Sequence, residues 1–124
     1  MNYENKKSED TLYNLRVLPK DIMVKEFELL ESVRGVEELN LLLKLEEVRI
    51  YSEVENEVDG EGKRVYSNKE KRDFETRNRL DKLPSIVVVK EKIVDDKKSL
   101  DVGRVELDFM KRVFRASEVI QGGR

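Results

Sequence analysis

The sequence predicts an all-α fold: an antiparallel helical hairpin with a short helix at its tip, associating through leftover apolar faces. Three observations lead there. Ile22, Leu29, Val36, Leu43 and Ile50 recur every seven residues, and Ile86, Ile93, Leu100, Leu107 and Phe114 repeat that spacing later in the chain. A repeat of seven keeps one apolar seam turned toward a partner helix. Between the two runs lies a polar elbow, Asp59-Gly60-Glu61-Gly62-Lys63-Arg64-Val65-Tyr66-Ser67-Asn68. Charged residues make up 42% of the 124 positions, against roughly 25% in an ordinary domain. A long hairpin has that ratio of surface to core, whereas a sandwich or a doubly wound sheet does not.

Residues 1–11 are polar, biased toward Asn, Lys, Glu and Asp, and read as a disordered tail. Residues 12–121 form one helical-hairpin domain in this reading, which suits the length. Leu12, Leu15, Val17 and Leu18 can dock as a short arm. Pro19 suits a first helical turn, with Asp21 and Glu26 placed where negative charge favours a helix start. From Ile22 the seam runs for about 42 Å at 1.5 Å per residue, with Leu39, Val54 and Val58 on the same side. Gly35 costs about 1 kcal/mol in a helix interior and marks a place where the segment can break in two. Leu41, Leu45 and Val48 lie roughly opposite the seam on a helical projection.

Past the elbow, Ser67 or Asn68 can cap a short helix carrying Glu70, Arg72, Phe74, Arg77 and Leu80; with Ser67 as the cap, Glu70 falls at the capping-box position. Pro84 disfavours helix at Leu83, and Ser85 can start the last helix. That helix carries a second apolar set, Val102, Val105, Phe109, Val113, Ala116 and Ile120, on another face. One antiparallel pair cannot bury both sets. The expectation is a homo-oligomer whose interface is Leu41, Leu45, Val48, Val105, Phe109 and Val113. Residues 122–124 end the helix and fray.

A different architecture competes over residues 48–66. Val48, Ile50, Ser52, Val54, Asn56 and Val58 alternate strictly, Asp59-Gly60 is a hairpin-turn dipeptide, and Val65 and Tyr66 can begin a return strand. With the β-branched run Ile86-Val87-Val88-Val89, this gives an α+β alternative with a small β-hairpin. The two sustained heptads favour helix.

Composition narrows function more than it defines it. The chain has no cysteine and no histidine, so disulfides, thiolate nucleophiles and zinc sites built on those residues are excluded. Acid–base chemistry at neutral pH would need a strongly shifted carboxylate or lysine; the expectation is a protein that is not an enzyme and uses no cofactor or metal. The start of the chain lacks the apolar stretch of a signal peptide and no run reaches membrane-spanning length, so the expected location is cytoplasmic, with no membrane partner. A net charge of −2 names no partner by itself.

Gly60-Glu61-Gly62-Lys63 lacks the spacing and the following hydroxyl of a phosphate-binding loop and reads as a turn with glycines at positive φ. Glu53, Glu55, Glu57, Asp59 and Glu61 would spread around a helix instead of converging, and a calcium-loop spacing is absent. The basic cluster points furthest. Lys63, Arg64, Lys69, Lys71, Arg72, Arg77, Arg79 and Lys82 outnumber the acids eight to four over residues 63–82, whereas residues 46–61 hold seven acids and one base. Tyr66 and Phe74 lie among the cations, as a backbone-tracking site with stacking aromatics requires. The candidate nucleic-acid-binding residues are Lys63, Arg64, Lys69, Lys71, Arg72 and Arg77. Lys111, Arg112 and Arg115 form a smaller basic group that the helix dipole also favours.

Leu45-Glu46-Glu47-Val48-Arg49-Ile50, Asp59-Gly60-Glu61-Gly62-Lys63, Tyr66-Ser67-Asn68, Arg72, Leu80 and a closing amphipathic helix through Phe109, Arg112 and Phe114 carry a resemblance. Over about residues 36–120 the chain resembles small helical-hairpin proteins of phages and prophages, encoded near recombination and single-strand-binding genes. Gly35 and the valine-rich start of the last helix depart from that pattern. The resemblance implies the hairpin fold and a setting in phage-type DNA replication or recombination. The function expected is a non-enzymatic accessory or scaffolding protein that contacts single- or double-stranded DNA, or docks a recombination partner. The rival expectation is a small inhibitor of a host or defence protein, its acidic run competing for a nucleic-acid-binding surface.

Overall fold

A computed structural model describes the backbone of residues 3–122 and the side chains of residues 9–122. The fold is an all-α helical hairpin of three helices, α1 (Tyr3–Asn56), α2 (Lys69–Lys82) and α3 (Pro84–Gly122). The chain divides into two compact units. One holds Met1–Arg34 with Lys97–Arg124, the other Gly35–Asp96.

In the first unit α1 and α3 run antiparallel. Asn14 Nδ2 donates to Ser117 Oγ at 3.3 Å, Lys25 pairs with Glu106 at 2.7 Å, and Leu29 lies against Gly103; the α3 partners fall in reverse order as the α1 number rises. On α1 the inward positions are Thr11, Leu15, Leu18, Ile22, Lys25 and Leu29, buried or half-buried at alternating steps of four and three. On α3 they are Leu100, Gly103, Leu107, Met110, Phe114 and Ser117. These are knobs-into-holes spacings. The carboxylate of Glu106 holds the Lys25 ammonium above its ordinary pKa, chiefly through their hydrogen bond.

The second unit continues the same rule. Val36, Ile50, Val54, Ile86 and Ile93 are buried, and Leu43 and Val89 are half-buried between them. Thr76 of α2 is buried too, its hydroxyl donating to the Arg72 carbonyl. Burying Val54 completely is worth about 1.5–3 kcal/mol.

Several expectations need correction. The segment read as a polar tail is helical from Tyr3 onward, and Met1 and Asn2 lie outside the described residues. Pro19 does not start a helix; it sits inside α1. Proline costs about 3 kcal/mol in a helix interior. The seam contacts on both sides of it, with Leu15, Leu18 and Ile22 half-buried and Thr11 buried, outweigh that. The short arm of Leu12, Leu15, Val17 and Leu18 is therefore part of α1. Gly35 does not end the helix, which continues to Asn56. Val58 lies beyond that end and is exposed, not on the seam.

The β-hairpin alternative is overturned: no strand occurs among the described residues, and only an isolated antiparallel bridge joins Val58 to Arg64. In a strand Val48 and Ile50 would share a face. Here Val48 is 67% exposed and Ile50 4%, as a helix places residues two apart. At the far end, Gly122 still closes α3, while the expected fraying of residues 123 and 124 falls outside the described residues. No described helix is long and apolar enough to cross a membrane.

Candidate nucleic-acid interface around the turn and α2

The turn between α1 and α2 closes on one aspartate. Asp59 Oδ1 accepts from the backbone N–H groups of Glu61 at 2.8 Å and Lys63 at 3.0 Å. The Gly62 N–H donates to the Asp59 carbonyl at 3.1 Å, and the Asp59 N–H donates to the Lys63 carbonyl at 2.8 Å. Gly62 takes φ 78°, a left-handed conformation open to glycine at little cost. The amides that a phosphate loop would offer are thus occupied by a carboxylate. Gly60 does not share the positive φ expected of it.

Asn68, not Ser67, caps α2, so the capping box with Glu70 does not form. Asn68 is extended, and its Oδ1 accepts from the Lys71 N–H at 2.8 Å. Leu83, extended as a residue before proline should be, separates α2 from Pro84 at the first position of α3.

Two arginines brace this region. Arg72 Nε donates to Tyr51 Oη at 3.1 Å and its Nη1 to the Tyr66 carbonyl at 3.4 Å, tying α2 to α1 and to the turn. Arg79 pairs with Glu57 and, at 2.9 Å, with Glu75. Its guanidinium also lies 5.8 Å from the centre of the Tyr66 ring, within cation–π range. These contacts push the Arg79 pKa up, the Glu57 hydrogen bond first and that to Glu75 next. The hydrogen bond from Arg79 holds the Glu75 carboxyl below the ordinary range.

The six candidate residues therefore separate. Arg72 belongs to the frame. Lys63, Arg64, Lys69, Lys71 and Arg77 are exposed; of these, Lys63 alone has an ion-pair contact among the described residues, to Glu61 at the 4.0 Å limit. They do not form one patch. Lys69 and Arg77 line a polar cleft of about 530 Å³ with Glu47, Tyr51, Asp73, Asp81 and Lys90. Lys71, two residues from Lys69 and so about 200° around the helix, lines a different hollow. That hollow, of about 460 Å³, is walled by Val65, Tyr66 and Phe74 with Glu70 and Glu75. Phe74 is 74% exposed, so it is not core.

The acidic run is dispersed: Glu53 pairs with Arg49 at 2.7 Å, Glu57 with Arg79, and Asp59 serves the turn. No group of three metal-ligating side chains comes together among the described residues. The smaller basic group is also divided, since Lys111 pairs with Glu26 at 3.5 Å. Sequence reasoning missed Tyr51 and Glu57 as partners of the two arginines. The i,i+4 spacing of Glu75 and Arg79 was the one visible sign; the other pairings depend on how the turn folds back.

Of the expected interface residues, Leu41, Leu45, Val48, Val105 and Phe109 are exposed, while Val113 is half-buried. Compared with protein-family models, with curated proteins and with solved structures, the chain has no match in any of the three.

Proposed function

We propose that the chain is a non-enzymatic accessory protein of phage-type DNA replication or recombination that contacts nucleic-acid phosphates through cations around α2. The observation that carries this reading is how the fold spends its basic residues. Arg72 and Arg79 hold the turn, while Arg64, Lys69, Lys71 and Arg77 stand exposed with no ion-pair partner among the described residues. Free ammonium and guanidinium groups of that kind bind phosphate by displacing counterions. Beside Lys71, the exposed Phe74 ring and the Tyr66 ring held by Arg79 offer stacking surface for unpaired bases. The phage setting comes from the sequence resemblance. Self-association belongs to the same reading: a second copy would add a second set of cations on one strand and raise avidity.

Fluorescence anisotropy with labelled single- and double-stranded DNA, at low and moderate salt, tests the contact. The expected result is affinity that falls steeply with salt. K69E/R77E and K71E/F74A, made separately, report which side of α2 is used. Each lost phosphate contact should lower the salt slope by about one. No binding at low salt would sink the reading.

A further inference from the structure

Phe74 stands 74% exposed on α2, and Val65 of the turn 44% exposed. With the Tyr66 ring they wall a hollow of about 460 Å³ whose remaining lining is Glu70, Lys71 and Glu75. Glu70, Lys71, Phe74 and Glu75 fall at i, i+1, i+4 and i+5, so α2 turns all four to one side. The volume lies within the roughly 300–1,000 Å³ of small-ligand sites. Two rings with charged groups at their edge suit a flat, partly polar occupant.

The charges at that edge choose among occupants. Glu75 is engaged by Arg79 at 2.9 Å, and the same guanidinium pairs with Glu57 and lies 5.8 Å from the centre of the Tyr66 ring. Glu70 and Lys71 are exposed and have no ion-pair partner among the described residues. Glu70 would oppose a bare phosphate, and Lys71 with Arg79 would oppose an organic cation. A nucleotide of a single strand satisfies every group. Its base stacks on the rings, its phosphate meets Lys71, and the Glu70 carboxylate accepts from N–H groups on the base edge.

Glu70 also distinguishes between bases. A carboxylate only accepts, through two oxygens side by side. Guanine is the base whose Watson–Crick edge offers two adjacent donors, N1–H and the N2 amino group. Adenine, cytosine and thymine each set an acceptor beside their donor, and that acceptor would face a carboxylate oxygen unpaired. In a duplex the edge is closed by pairing and the face by stacking.

We infer that the hollow beside Phe74 takes one unpaired guanine of a single strand, stacked on Phe74 and Tyr66 and held at its edge by Glu70. The inference rests on the reading that α2 contacts nucleic-acid phosphates, and it names the form of nucleic acid and the base.

Anisotropy competition on the full chain at low salt tests it, with oligothymidine strands that carry one central guanine, adenine, cytosine or thymine. The guanine strand should compete best, about tenfold over the all-thymine strand, and annealing it to its complement should remove the advantage. Phe74 and Glu70 are exposed, so F74A and E70Q should keep the helix content seen by circular dichroism. F74A should weaken every strand about tenfold. E70Q should cancel the ranking, because a glutamine amide sets a donor beside its acceptor. Equal affinity for all four strands, with binding that still falls as salt rises, overturns the hollow and leaves the phosphate contact standing. An E70Q variant that tightens every strand equally and keeps the ranking makes Glu70 a repelling charge only, and overturns the guanine assignment. No binding to any strand overturns the phosphate reading and this inference together.

Discussion

A Cβ built on Gly103 would lie 2.6 Å from Leu29 Cδ2, while one built on Gly35 would meet nothing within 4 Å. The two glycines share helical backbone and differ in what faces them. Gly35→Ala should therefore raise stability by about 1 kcal/mol, the ordinary gain from removing a helix-interior glycine. Gly103→Leu should lower it by about 1–3 kcal/mol through overpacking against α1. Urea titration of the two variants checks both signs. Glu75 gives a pH prediction at the same scale. Its carboxyl is held below the ordinary range, first by Arg79. Its contribution to the folded state is complete above the ordinary glutamate value of about 4.3 and is lost as pH falls through the lowered value. The Tyr66 ring, held by the same arginine, should loosen in that acidic window and not near neutrality, as ring chemical shifts would record. In Glu75→Gln the shift tied to this carboxyl should vanish.

At the scale of elements, α2 depends on its ends. It has 14 residues, a length at which an isolated helix is marginal. Asn68→Ala removes the side chain that accepts from the Lys71 N–H and should cost about 1 kcal/mol. Faster amide exchange at residues 69–72, ahead of any change in α1, would show it. The existence of α2 and its stop before Pro84 were legible in the sequence. Which of Ser67 and Asn68 caps it was not, because both are good caps and the choice follows the path of the turn. The strand-like alternation of residues 48–58 kept a β-hairpin in competition with the helix for a similar reason. Val48 is merely an exposed valine, and the buried Ile50 and Val54 are spaced four apart, a step that helix and alternating strand both accept. Pro19 misled in the other direction: local chemistry marks a helix start, and contacts distant in sequence carry the helix through it.

For the whole molecule, one seam rule builds both units, and half of it could be read from the sequence. Ile86, Ile93, Leu100, Leu107 and Phe114 announced themselves by being apolar. The companion line on α3, which includes Gly103, Met110 and Ser117, is buried or half-buried as well. It was invisible because glycine and serine do not signal a core. The candidate interface was less legible still. Composition showed eight cations near the tip, and only the fold separates two that brace it from six that remain exposed.

The seat that Gly103 offers Leu29 also acts as a key. Slide α3 by one heptad in either direction and Leu29 would meet Met110 or Asp96, a bulky side chain or a buried carboxylate. The hydrogen bond between Asn14 and Ser117 would be broken by the same slip. A hairpin built on repeats of seven has neighbouring registers that differ little in apolar burial. Here the least apolar positions of the seam tell them apart, giving the chain a single reading frame for its own closure.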